Sequence, residues 1–150
     1  MSQTTDHDLG ELTSSRRLAA SPERVWQAFT TPDEVAAFWG GRHATVPNDS
    51  VTIDLRVGGR FELITVGPDG TNHPLAFVYT VLDDPHRIGL EEPHTGILTT
   101  IDLAPDGAHT LVTIHQRQVP APLRGRQAAE GLAGIFDALA VVVSTPTRAG

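Results

Sequence analysis

The longest helical pattern in this sequence lies near its end, over residues 122–143. Apolar side chains recur there at the i, i+3, i+4, i+7 spacing of an amphipathic helix, at Ala128, Leu132, Ile135, Phe136, Leu139, Val142 and Val143. The opposite side of this helix is polar. A helix with one apolar face needs a larger apolar surface to lie on, so the rest of the chain has to supply that surface.

The middle of the chain predicts that surface as a series of short strands. Apolar and polar residues alternate over residues 51–55 and 60–66, and a turn at residues 57–59 makes the two a hairpin. Further strands are predicted over residues 75–82, 88–91, 96–103 and 110–118, and one precedes them all over residues 9–20. About seven antiparallel strands covered by one long helix place the chain in the α+β class.

Strand 75–82 is apolar on both of its faces. Phe77 and Tyr79 point to one side, and Ala76 and Val78 point to the other. Such a strand is either central, with both faces covered, or has an outer face that meets a partner. The alternation does not decide which of the two faces turns toward the helix.

Two helix starts follow the first strand. Ser21-Pro22-Glu23 offers a capping hydroxyl, a proline with helical φ and an acidic first turn, so a helix is predicted over residues 22–29. Thr31-Pro32-Asp33-Glu34 has the form of a capping box, in which Thr31 and Glu34 bond each other's backbone N–H groups. A second short helix is therefore predicted from residue 32 to the glycine pair Gly40-Gly41.

Length and composition set limits on what the chain does. Its 150 residues are enough for one domain, which we expect over residues 9–143, between flexible ends at 1–8 and 144–150. The absence of cysteine removes disulfides, thiolate nucleophiles and Cys-ligated metals. The first eight residues are polar and acidic, and no apolar run approaches the ~20 residues of a membrane span, so we expect a cytoplasmic protein without one.

The charge pattern argues against nucleic-acid binding. The formal net charge is −7, and the arginines occur as isolated pairs such as Arg16-Arg17. Binding to a phosphate backbone needs clustered positive charge on one surface. We therefore predict no nucleic-acid partner.

Short motifs along the chain are similar to those of one protein family, the homologues of the activator of the heat-shock-protein-90 ATPase (AHSA-type). The motifs are SPERVWQAF at 21–29, TPDE at 31–34, FWG at 38–40, DLRVGGRF at 54–61, DPHRI at 84–88 and AEGL at 129–132. That family belongs to the START-like, or SRPBCC, superfamily with the Bet v 1-like helix-grip fold. The resemblance, over about residues 9–143, implies a curved antiparallel sheet gripping the long C-terminal helix.

The sequence departs from the family pattern at three positions. Gly41 stands where a proline is frequent, Leu132 where tryptophan often follows Glu-Gly, and Phe77 where glycine is common. We expect the first to loosen the lip of a pocket and the other two to reshape its wall. No relative's ligand can therefore be transferred to this chain.

A curved sheet covered by one helix leaves a cavity, and such a cavity is the default binding site. Alternation predicts lining residues from the sheet, at Phe61, Leu63, Thr99, Ile101, Val112 and Ile114, and from the helix, at Leu132 and Phe136. Trp39 and His43 are predicted at its mouth, and either Val78 or Tyr79 joins the wall. The alternative is that these side chains pack against one another and fill the space.

Catalytic and metal-binding patterns are missing from the sequence. His-Glu-x-x-His does not occur, and His109 and His115 lie six residues or ~20 Å apart along one strand, too far to share a metal. Asp54 and Glu62 alternate out of phase with the inward residues and are expected in solvent. We therefore predict no catalytic residue, no metal and no cofactor.

Three functions remain open. The preferred hypothesis is a monomeric or homodimeric binder of a small, largely apolar molecule (lipid-, polyketide- or terpenoid-like), acting as a carrier, sensor or sequestering protein. The second is a cyclase or aromatase-type enzyme in the same cavity, which needs an acid or base from His115, Tyr79 or an unforeseen inward carboxylate. The third is a co-chaperone-like interaction domain, which the family name implies.

The predicted long helix contains three glycines, Gly125, Gly131 and Gly134. Each costs ~1 kcal/mol relative to alanine in a helix interior. Either they let the helix backbone lie close to the sheet, or they soften the first half of the helix. In the second case residues 123–134 open as a gate while residues 135–143 stay docked.

Overall fold

The computed structural model describes residues 9–41, 44–120 and 126–144. Within these residues seven strands and three α-helices follow one another. They are β1 (Leu9–Leu18), α1 (Pro22–Thr30), α2 (Pro32–Phe38), β2 (Thr52–Ile53), β3 (Arg60–Val66), β4 (Asn72–Asp83), β5 (Arg87–Glu92), β6 (Ile97–Asp106), β7 (His109–Pro120) and α3 (Arg126–Ser144). One turn of 3₁₀-helix, Asn48–Ser50, precedes β2.

All strands belong to one antiparallel sheet with the order β1-β7-β6-β5-β4-β3-β2. The first strand pairs with the last, and the others form a meander. Helix α3 packs on the inward face, where Phe136, Leu139 and Val143 join the buried core of the sheet. The predicted α+β helix-grip architecture, with two short helices after the first strand, is confirmed.

The two short helices begin by different means. Ser21 caps α1 as predicted, because its Oγ accepts a hydrogen bond from the Arg24 backbone N–H at 3.1 Å. The capping box predicted at Thr31 and Glu34 is wrong, since the Thr31 side chain makes no capping bond. The Glu34 carboxylate instead accepts a hydrogen bond from Arg24 at 2.6 Å. A charge-assisted bond of this kind is stronger than one to a neutral backbone N–H.

The hairpin of β2 and β3 is confirmed, but β2 is shorter than the alternation predicts. Ile53 pairs with Phe61, and the strand ends there. Backbone bonds from Arg56 to Asp54 and from Gly59 to Arg56 turn the next residues into a compact loop. This loop is tied to β4, because the Gly58 N–H donates to the Tyr79 carbonyl at 2.8 Å.

Pairing with β3 decides which face of β4 turns inward, because Phe77 lies opposite the buried Phe61 and Tyr79 follows two residues later on the same face. A β-bulge comes directly after Tyr79. The register shifts between Tyr79 and Val81, so Tyr79 and Leu82 both face the core while Val81 is 40% exposed. Gly89 on β5 makes room for the bulge, because a Cβ there would lie 2.6 Å from the Thr80 Oγ1. Of the two residues left open by the sequence, Tyr79 is inward and Val78 lies on the opposite face.

None of the helices in the described ranges has the length and apolarity that crossing a membrane requires. The start of α3, predicted at residue 122, lies outside the described residues, as do Gly125, His43 and the predicted flexible ends except Ser144.

Candidate ligand cavity

A cavity of about 220 Å³ lies between the inward face of the sheet and the helices. Its sheet wall comes from β4, β5, β6 and β7, with Leu75, Phe77, Leu90, Glu92, Thr99, Ile101, Ile114 and Gln116. Its helical wall comes from α1, the end of α2, and α3, with Phe29, Trp39, Leu132 and Ile135. Most of this surface is apolar, so the cavity suits a molecule that is largely apolar as well.

Three polar side chains stand at one part of this wall. The Gln116 Nε2 donates a hydrogen bond to the Thr99 Oγ1 at 3.2 Å, across the β6–β7 ladder. The Glu92 carboxylate accepts a hydrogen bond from the Thr95 hydroxyl at 3.1 Å. The cavity therefore has a polar, negatively charged side and an apolar remainder.

A wider groove opens beside the cavity, where β4 extends past the end of β5. It encloses about 630 Å³ and is lined by Ser50, Glu62, Leu63, Ile64, Pro74, Leu75, Ala76, Glu92 and His94. Leu75 and Glu92 line both spaces. The groove is more polar and more open than the cavity, so the cavity is the better candidate for an apolar ligand.

A cluster of aromatic rings lies at one end of the cavity, where Trp39 and Phe77 line the wall and Phe61 and Tyr79 lie behind it. Trp39 packs edge-on against Phe61 with ring centroids 5.1 Å apart, and against Phe77 at 5.9 Å. Phe61 in turn stacks on Phe77 at 5.5 Å and on Tyr79 at 6.1 Å. Behind Trp39, Phe61 and Tyr79 border a small void that is too narrow to admit a water molecule.

Tyr79 is 2% exposed, and within the described residues its hydroxyl has no hydrogen-bond partner. Burial raises the pKa of this phenol well above its usual value, and the charge of Asp54 raises it further. The phenol therefore stays protonated at physiological pH and can act as a hydrogen-bond donor.

The other titratable residues considered from the sequence lie away from the cavity wall. His115 is on the outer face of β7, with its Nε2 2.8 Å from a Glu11 carboxylate oxygen. Asp54 and Glu62 form exposed ion pairs with Arg56 and Arg60. In residues 9–41, 44–120 and 126–144, no group of three His, Asp or Glu side chains is placed to hold a metal ion.

The sequence match agrees with this geometry. Residues 19–144 match the profile of the family described as "Activator of Hsp90 ATPase homolog 1-like protein", or AHSA1. The chain belongs to this family. AHSA1-like proteins are part of the SRPBCC superfamily with the Bet v 1-like fold, so the resemblance drawn from the motifs is confirmed.

Solved structures share the fold of this AHSA1-like protein. Protein CV1439 from Chromobacterium violaceum is 26% identical with a TM-score of 0.83, over 91% of this chain and 99% of that one. An AHSA1-like protein from Aeromonas hydrophila is 22% identical with a TM-score of 0.75, over 89% and 92%. The AHSA1 protein from Silicibacter pomeroyi is 17% identical with a TM-score of 0.75, over 89% and 97%. Among curated proteins, none matches the sequence significantly.

The structure places some of the predicted site residues of this AHSA1-like protein on the cavity wall and others elsewhere. Those on the wall are Trp39, Thr99, Ile101, Ile114 and Leu132. Those buried in the core outside this wall are Phe61, Leu63, Tyr79, Val112 and Phe136. Val78 lies on the outer face, and His43 lies outside the described residues. A role in ligand binding stays a prediction for every one of them.

The alternation pattern did not predict which inward side chains line the cavity and which are covered by their neighbours. Val112 and Phe136 face inward as predicted, but they are covered near β1, where the Arg16 guanidinium lies 5.5 Å from the centre of the Phe136 ring. Periodicity tells which face a side chain is on and not whether a neighbour already fills the space above it. Phe61 is covered by the rings of Trp39, Phe77 and Tyr79, whereas Leu63 lines the outer groove instead of the cavity.

The lining residues predicted by alternation omit seven wall residues, Phe29, Leu75, Phe77, Leu90, Glu92, Gln116 and Ile135. A signal existed for some of them. Leu90 and Glu92 continue the inward alternation of Ile88, and Gln116 continues that of Ile114. The family departure at Phe77 was noted as reshaping the wall, and Phe77 does line it.

Proposed function

We propose that this AHSA1-like protein binds a small, largely apolar molecule in the cavity between the sheet and α3, acting as a carrier, sensor or sequestering protein. The observation that supports this proposal is a cavity of about 220 Å³ with mostly apolar walls and a few polar side chains. Ligand sites in proteins typically have this composition.

The size of the cavity favours a compact ligand. An engineered apolar cavity of about 150 Å³ holds benzene, whereas sites for drug-sized ligands reach about 300–1,000 Å³. At about 220 Å³, the cavity suits a molecule of one or two rings, or a short branched chain. A compact polyketide- or terpenoid-like molecule fits this space better than a long acyl chain.

The charge of the protein near the cavity restricts the charge that a ligand can carry. Glu92 stands on the wall, and the chain carries a formal net charge of −7. A carboxylate ligand would be repelled by Glu92 and would lose its hydration among apolar side chains. We therefore expect a neutral ligand.

The two other functions have less support. An enzyme in the same cavity would depend on Tyr79 and on Glu92, which is the inward carboxylate that the sequence did not predict. His115 lies on the outer face and is removed from that set. The co-chaperone hypothesis still rests on the family name alone.

Thermal unfolding in the presence of neutral aromatic and terpenoid probes tests the proposal. A ligand at a hundred times its dissociation constant should add ~2.7 kcal/mol to the free energy of unfolding, and the melting temperature should rise accordingly. Leu132→Trp should fill the cavity and remove this shift while leaving the chain folded, because Leu132 is only partly buried at the cavity wall.

Val141→Trp is the matched control for that variant. Val141 lies on the same helix and is 65% exposed, so this variant places the same tryptophan side chain outside the cavity. Its ligand-induced shift should equal that of the wild type. Equal shifts in both tryptophan variants, or no shift with any probe in the wild type, would contradict binding in this cavity.

A further inference from the structure

Among the described residues, two buried side-chain atoms have no hydrogen-bond partner, the hydroxyl of Tyr79 and the Nδ1 of His109, and only the first borders the interior space near the cavity. This hydroxyl belongs to a residue that is 2% exposed, and none of the described residues gives it a hydrogen bond. The void beside it is too narrow for a water molecule to serve as a partner. An unpaired buried hydroxyl is destabilising, and native structures keep few of them.

This void is separated from the ligand cavity by a thin wall. Phe29, Trp39, Leu90 and Ile101 line both spaces. Trp39 is the wall residue best placed to move, because it follows the last residue of α2 and is only partly buried. An outward displacement of the Trp39 ring would join the void to the cavity and bring Tyr79 into the ligand site.

The surroundings of Tyr79 define what could meet it there. The stacked rings of Phe61 and Phe77 make this end of the space aromatic. The phenol stays protonated, because burial raises its pKa, and so it offers a proton. A charged acceptor would lose its hydration among these buried rings, so a partner at this point needs a neutral acceptor atom carried on an aromatic body.

We propose that Tyr79 is the polar anchor of the cavity, and that its hydroxyl donates a hydrogen bond to a neutral oxygen, such as a ketone carbonyl, on a bound aromatic ligand. This inference rests on the proposed function, since it names the chemistry of the molecule that the same cavity takes. It assigns the ligand class as neutral aromatic ketones and related carbonyl compounds.

Two probes of nearly equal shape separate the anchor from general apolar binding. Acetophenone carries a carbonyl oxygen where α-methylstyrene carries a methylene group. Acetophenone should bind the wild type about tenfold more tightly than it binds Tyr79→Phe. α-Methylstyrene should bind the two proteins equally well. Dissociation constants from calorimetric or NMR titration measure this preference.

Thr99→Val is the matched control, because it removes the other hydroxyl of the cavity region, the one that accepts from Gln116. The preference for acetophenone should survive in Thr99→Val and disappear in Tyr79→Phe. Tyr79 is the only tyrosine of the chain. A ¹³C label on the ring carbon that bears the hydroxyl therefore gives one NMR signal, which should shift with acetophenone and not with α-methylstyrene.

The outcomes distinguish this inference from the proposed function. Binding of both probes with an equal preference in the wild type and in Tyr79→Phe would overturn the anchor and leave the cavity as a binding site. Loss of the preference in Thr99→Val, together with its retention in Tyr79→Phe, would overturn the assignment to Tyr79 and identify the Thr99 hydroxyl as the anchor. Failure of both probes to bind the wild type would count against the proposed function and against the anchor that rests on it.

Discussion

At the scale of single residues, Arg24 joins all three helices. It lies on α1, and its guanidinium donates to the Glu34 carboxylate of α2 at 2.6 Å and to the Val142 carbonyl of α3 at 3.0 Å. Its side chain is 17% exposed, so these bonds are only weakly screened by solvent. Arg24 therefore helps fix α3 over the sheet, and with it the roof of the cavity.

We expect Arg24→Met to lower the free energy of unfolding by about 2 kcal/mol. The substitution leaves the Glu34 carboxylate and the Val142 carbonyl without their donor, and removing one partner of a buried charge pair is costly. Partial exposure keeps the loss below that of a fully buried pair. Urea denaturation with a constant slope measures it.

Arg56→Met is the matched control for Arg24→Met. Arg56 pairs with Asp54 at 2.9 Å, but its side chain is 71% exposed, and such surface pairs contribute less than ~1 kcal/mol. Its effect should be clearly smaller than that of Arg24→Met. Similar losses in the two variants would mean that Arg24 does not hold the helices together.

Tyr79 and Val78 are two residues whose orientation could not be decided from the sequence. Alternation reduced the choice for strand β4 to two adjacent residues, which point to opposite faces. The pairing of Phe77 with the buried Phe61 of β3 resolves the choice in favour of Tyr79. The bulge after Tyr79, which Gly89 in the neighbouring strand makes room for, then turns Leu82 inward in place of Val81. A bulge is a property of two paired strands, so the pattern of one strand cannot reveal it.

At the scale of elements, the loop after α2 lies close to the backbone of α3. Gly41, after α2, has a φ of +64°, and a Cβ there would lie 3.3 Å from the Ile135 nitrogen and 3.4 Å from the Gly134 carbonyl carbon. The helix backbone thus approaches the loop after α2 at this point. Proline, frequent here in the family, cannot take a positive φ.

Gly131 lies on the open side of α3. A Cβ added there meets no atom within 4 Å, so close packing does not explain this glycine. The other explanation is the backbone freedom of glycine, which softens the helix. In that case the first half of α3 opens and closes over the cavity. That gate stays a prediction.

We expect Gly131→Ala to raise the free energy of unfolding by up to ~1 kcal/mol, because alanine has the higher helix propensity and meets no obstacle. The same substitution should slow entry and release of an aromatic probe, since a stiffer helix opens less often. Urea denaturation and stopped-flow fluorescence measure the two effects. A stabilised variant with unchanged probe kinetics would contradict the gate.

Gly41→Ala and Gly58→Ala are a matched pair of variants that measures how much the contact between Gly41 and α3 contributes to stability. Both glycines have a positive φ, but an added Cβ meets nothing within 4 Å at Gly58, whereas it meets the α3 backbone at Gly41. The two variants share the cost of a left-handed alanine, of about 1–2 kcal/mol. The extra loss in Gly41→Ala measures the contact between this loop and α3.

At the scale of the whole molecule, the sequence predicts the fold far better than the cavity. The 3.6-residue and two-residue periods, together with the Ser21 cap, give the helices and strands in the right order, because they reflect local geometry and one buried face. The cavity is the space that packing leaves over. It depends on where Phe61, Tyr79 and Phe136 come to rest, and that is decided by all elements together.

The central claim, that a small aromatic molecule enters this cavity, is tested most directly by ¹³C-methyl NMR of isoleucine-labelled protein titrated with acetophenone. Ile101, Ile114 and Ile135 line the cavity, Ile64 lines the outer groove, and Ile53 lines neither. We expect saturable shifts of the first three methyl signals and none at Ile53 or Ile64. Shifts confined to Ile64, or no saturable shift at any isoleucine, would contradict the account.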